Sequence, residues 1–167
     1  MPDGSIRKTT ITTTKHNPSP PPVRPADPYP SDSLVQYNVD RINAYRAKGK
    51  VAPIVYDATM STFARAGSEQ LARDHSPHAH FAAHIKGATG FGTRSAENQG
   101  DPSGVQALDA DAITSGKKQI DLLLDIMMSE GPGGGHYDNI MNPAFRRVGI
   151  GFARSGGRFY LTNDFSD

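Results

Sequence analysis

Apolar positions recur at helical spacing in three stretches of this chain and at strand spacing in one. Val35, Val39 and Ile42, with Tyr45 close to the same face, mark a first helix. Ser33 and Gln36 form a capping-box pair ahead of it, and Gly49 suits the position just past its end. Residues 51–56 read as a connector with apolar anchors. Asp57 is the N-cap expected for a second helix over roughly 58–74; Met60, Ala64, Gly67 and Leu71 share one face there beside Phe63, and Pro77 stops it. The strongest stripe is Ile120, Leu123, Leu124, Met127 and Met128, a third helix with Ser115 as its expected cap. Its methionines read as core filling.

After Pro143 the period changes to two. Val148, Ile150 and Phe152 alternate, and Ser155-Gly156-Gly157 turns the chain. Phe159, Leu161 and Asn163 then share a face of the return strand, opposite Tyr160 and Thr162. Gly149 and Gly151 predict a close neighbour on their face. Helices first and a hairpin last give an α+β fold, a small antiparallel sheet flanked by helices.

The first 32 residues follow neither pattern. Residues 9–14 are Thr-rich and suit an extended chain, and prolines at 18, 20, 21, 22, 25, 28 and 30 favour polyproline II over any helix or ladder. Residues 1–32 are therefore expected to be a Thr/Pro-rich linker, disordered or extended, and 33–167 the folded domain. A chain of 167 residues suits one such domain.

Composition narrows the function. A net charge of +1 and a pI of about 8.0 create no field that would recruit nucleic acid or an anionic membrane. No apolar run is long enough to span a bilayer, and the first residues do not resemble a signal peptide. Without cysteine there is no disulfide framework, no Cys-ligated zinc and no thiol chemistry.

Chemistry gathers in two places. His75, His78, His80 and His84 are four of the six histidines, and the run Gly131-Pro132-Gly133-Gly134-Gly135 delivers His136 into a short helical pattern. Glycine lets backbone pass where a Cβ would clash, so this run can press His136 against another element or a ligand. His80 or His78, with Glu97 and His136, supply nitrogen and oxygen ligands for a borderline divalent ion. Glu97 and His136 also suit a general base and acid. There is no His-Glu-x-x-His helix, no Lys for a phosphate loop and no Gly-x-Ser-x-Gly elbow.

Assembled in order, these stretches resemble the CAP superfamily (SCP or PR-1-like domain) in its cysteine-free bacterial form. Asn38-Val39-Asp40-Arg41 is similar to the family's Asn-x-x-Arg; Pro53 to Asp57 and the following Ala-rich helix resemble its "pro-leu-x-trp/tyr-asp" segment. Ala96-Glu97-Asn98 resembles Gly-Glu-Asn, Gly135-His136-Tyr137-Asp138-Asn139-Ile140-Met141 the Gly-His-(Tyr/Arg)-x-x-Ile-(Met/Leu) motif, and Val148-Gly149-Ile150-Gly151 the "val-gly-val-gly" strand. Leu161 to Phe165 resembles the "trp-thr-gln-x-phe" end.

The resemblance implies a three-layer α-β-α sandwich with a cleft of two histidines and two acids that holds a divalent metal, zinc among them. It assigns His136 and Glu97, prefers His80 over His78 and then His75 as the first histidine, and leaves Glu130 as the second acid, with Asn98, Tyr137, Asn38 and Arg41 in support. It further implies an extracytoplasmic, secreted monomer, its signal segment outside this chain, acting as a non-catalytic binding module for an extracellular protein, lipid or cell-envelope ligand. The competing expectations are a metal-assisted hydrolase using Glu97 and His136 on peptide or cell-envelope material, and a structural or adhesive domain.

Overall fold

The structure, a computed structural model, describes residues 33–102, 112–156 and 158–167. The Thr/Pro-rich linker, most of the loop before the third main helix and Gly157 of the expected turn lie outside the described residues. Helix α1 (Ser33–Lys48) leads to a two-residue strand β1 (Val55–Tyr56) and helix α2 (Ala58–Asp74). Short helix α3 (Ala79–His84), strand β2 (Ser95–Gly100), helix α4 (Ala112–Ser129) and helix α5 (Gly135–Met141) follow. A hairpin of β3 (Arg147–Ser155) and β4 (Arg158–Ser166) closes the chain.

Asp57 caps α2 as expected, its side chain accepting from the Met60 N–H at 3.0 Å. Helix α4 begins at Ala112, three residues before the expected cap. The sheet is mixed and runs β1-β3-β4-β2. Two strands were not anticipated as such: β1, inside the presumed connector, pairs parallel to β3, and β2 pairs antiparallel to β4.

Helix α2 covers one face of the sheet, and α1, α4 and α5 the other, which gives the expected three layers. Val39 and Ile42, Ile120 and Leu124, and Ile140 pack on Val148, Ile150, Phe159 and Leu161 in one core. Each such side chain contributes about 1.5–3 kcal/mol on burial. On the opposite face, a Cβ at Gly149 or Gly151 would overlap the backbone of Met60 or Ala64. Those two glycines let α2 lie directly on β3.

Arg46 is fully buried, and among the described residues it pairs with no carboxylate. Its guanidinium instead donates to the carbonyls of Ala52 (2.7 Å), Ile140 (2.7 Å), Asn142 (3.1 Å) and Phe145 (3.0 Å). One side chain thereby ties α1 to the segment carrying α5, and so helps position His136.

Candidate functional site

The chain leaves α2 through two left-handed residues, His75 (φ 54°) and His78 (φ 64°). Non-glycine residues in that region carry strain and concentrate at functional sites. The turn buries His78, whose backbone N–H donates to Gln99 Oε1 at 2.7 Å. Its Nδ1 lies 2.9 Å from Glu97 Oε1. His75 stays at the surface, 2.8 Å from Asp101 Oδ2.

Strand β2 owes its place to polar pairing. Glu97 is only 4% exposed and lies opposite Asp164 in the β2–β4 register; Asp164 is fully buried. Glu97 Oε2 and both Asp164 oxygens have no donor among the described residues. Two buried carboxylates cannot both ionise side by side, so one proton is shared between them. Burial and then the Glu97 charge push Asp164 well above the ordinary carboxylate range. Burial also raises Glu97, with the His78 hydrogen bond pulling the other way. A proton on one carboxyl of the pair lets it donate to the other, while Glu97 Oε1 meets His78 Nδ1. Sequence reasoning missed Asp164; the only local signal was an acid between Asn163 and Phe165 in the return strand.

His136 is held from the other side. Glu130 Oε1 lies 2.6 Å from its Nδ1, and Glu130 Oε2 accepts the His136 backbone N–H at 3.0 Å. A Cβ at Gly134 would strike the Glu130 side chain, so the glycine run makes room for this acid to fold back. Asn98 Nδ2 donates to the His136 carbonyl at 3.0 Å, and Asn98 Oδ1 accepts from Asn139. Glu97 and Asn98 are neighbours on one strand and point to opposite faces. β2 is an outer strand of the sheet, and both histidine–acid pairs lie at it: Glu97 meets His78, and Asn98 beside it holds the backbone of His136, whose ring meets Glu130.

The preferred first histidine lies elsewhere. His80 packs on Phe63 (4.6 Å between ring centres) and on His84 rather than on Glu97. The buried, left-handed turn at His78 aims its imidazole at Glu97 of β2. Asn38 receives Asn163 Nδ2 at 2.6 Å. Arg41 joins helix α4 through Asp121 at 2.6 Å, rather than a loop. Tyr137 is half-buried on α5.

Among the described residues, no three or more His, Asp or Glu side chains gather closely enough to hold one metal ion. Glu97 and Glu130, expected as ligands alongside two histidines, each lie against an imidazole Nδ1. Each pair sets an imidazole against a carboxylate. A carboxylate on Nδ1 fixes the tautomer with the lone pair on Nε2, the usual arrangement behind a metal-ligating histidine. Also among the described residues, no helix is long and apolar enough to cross a membrane.

Solved structures share this fold at low identity. An outer surface protein of Borrelia burgdorferi superposes with a TM-score of 0.56 at 10% identity, over 82% of this chain and 94% of its own. NaASP2, solved with Zn2+, gives 0.54 at 15% identity, over 81% of this chain and 80% of its own. A cysteine-rich secretory protein from Staphylococcus aureus subsp. aureus Mu50 is 17% identical over 83% of this chain with a TM-score of 0.47, and the chain spans only 41% of its length. No curated protein matches the sequence. The profile of the cysteine-rich secretory protein family, CAP, matches residues 39–165, from within α1 into β4. The chain therefore belongs to the CAP family, as a member without cysteine.

Proposed function

We propose that this CAP domain is a secreted, non-catalytic binding module that takes a divalent ion such as zinc through His78 and His136. The observation that carries the reading is the carboxylate on each Nδ1, at 2.9 Å for His78 and 2.6 Å for His136. Glu97 and Glu130 then serve as orienting partners. A bound ion would supply a Lewis-acidic position for an oxygen or nitrogen of an extracellular ligand. Secretion is supported by the family's description and by the outer surface location named for the Borrelia relative.

The hydrolase alternative needs a base presented to water. Glu97 is buried and hydrogen-bonded to His78 and Asp164, which argues against that role. The structural alternative, in which the histidines only hold loops together, accounts for the same hydrogen bonds, so binding has to decide.

Calorimetry with zinc should show one equivalent that disappears in His78→Ala and in His136→Ala. Glu97→Gln and Glu130→Gln should weaken it about 10–100-fold. Unchanged zinc affinity in both histidine variants, with only a lower Tm, would establish the structural reading instead.

A further inference from the structure

We propose a second site for a borderline divalent cation, Cu2+ above Ni2+ or Zn2+, chelated by His80 and His84 and separate from the pair flanking β2. These two residues stand four apart on α3, so their side chains share one side of the helix. Their ring centres are 4.7 Å apart and the rings are tilted by 49°.

That spacing is what chelation requires. With metal–nitrogen bonds of about 2.0–2.1 Å and a ring centre roughly 1.2 Å behind its nitrogen, two imidazoles at 90–109° on one ion have centres about 4.5–5.2 Å apart. The rings already stand within this range.

The surroundings suit an ion. Phe63 backs the His80 ring at 4.6 Å and packs in turn on Phe91 at 5.2 Å, which steadies one ligand. His84 is exposed, and His80 lines an open groove of about 610 Å³ with Ala58, Thr62 and Phe63, leaving room for waters to complete the coordination. Among the described residues neither ring bonds to a carboxylate, unlike His75, His78 and His136. Imidazole binds Cu2+ most strongly among these ions, which sets the order of affinity, while the Arg73 charge nearby opposes any cation.

The test uses the full chain. Copper calorimetry should give an equivalent that weakens about tenfold or more in His80→Ala and in His84→Ala, and persists in His78→Ala and His136→Ala. In the unsubstituted protein, substoichiometric Cu2+ should broaden the His80 and His84 ring resonances first, which guards against a variant that misfolds. Unchanged copper affinity in His84→Ala, or broadening centred on His136, would overturn the proposal. Because the two sites depend on different histidines, failure here leaves the zinc test of the other pair intact.

Discussion

Glu97 and Asp164 face each other directly across β2 and β4, two buried carboxyl groups on paired strand positions. The folded pKa of Asp164 stands above its ordinary 3.8, so the native state holds a proton that the unfolded chain releases. Stability is full below the unfolded value and declines as pH rises toward the folded one. Asp164→Asn keeps a donor toward Glu97 and removes that titration. Its Tm should match the parent near about pH 4 and exceed it at about pH 7. A constant Tm difference across that range, measured by thermal melts in a pH series, would contradict the shared proton.

Glu130 reaches both the backbone and the ring of His136 only because Gly134 leaves room. Gly134→Ala should push this acid away, leave the His136 N–H without its acceptor and cost about 1–3 kcal/mol. Loss of the His136 Nδ1 hydrogen-bond signature by NMR would accompany it. Intact coupling in a fully stable variant would show that the glycine is dispensable.

Arg46 satisfies four carbonyls from a fully buried position. Lysine has three donors on one nitrogen and cannot reach all four, so Arg46→Lys should cost about 3–5 kcal/mol, as breaking a buried charged network does. Denaturant unfolding checks this. A loss below about 1 kcal/mol would mean that water replaces the guanidinium.

Gly151 lies against the backbone of Ala64, where no side chain can yield. Gly151→Ala should destabilise by about 1–3 kcal/mol through overpacking, with the whole of α2 displaced outward. A neutral effect in the same unfolding measurement would place α2 further from the sheet than described.

Much of this architecture was visible in the chain. Helix α2 was bounded by Asp57 and Pro77, and the glycines of β3 announced the helix packed on them. Strand β2 was not visible, because Ser-Ala-Glu-Asn-Gln-Gly carries no apolar alternation. It is a strand because its polar side chains find partners far away in sequence: Glu97 on His78 and Asp164, Asn98 on Asn139, Gln99 on Thr162. The histidine facing Glu97 was undecidable among three close candidates, since the choice rests on one left-handed residue. Asp164 required the register between strands 60 residues and more apart, which no local pattern contains.

The central claim is that Nε2 of His78 and Nε2 of His136 receive the ion while Nδ1 stays on its carboxylate. Long-range proton–nitrogen NMR of the histidine rings, recorded with and without zinc, measures this directly. Zinc should move the Nε2 resonances of His78 and His136 and leave their Nδ1–H protons bound. Zinc shifts confined to other histidines, or none in this pair at saturating metal, would contradict it.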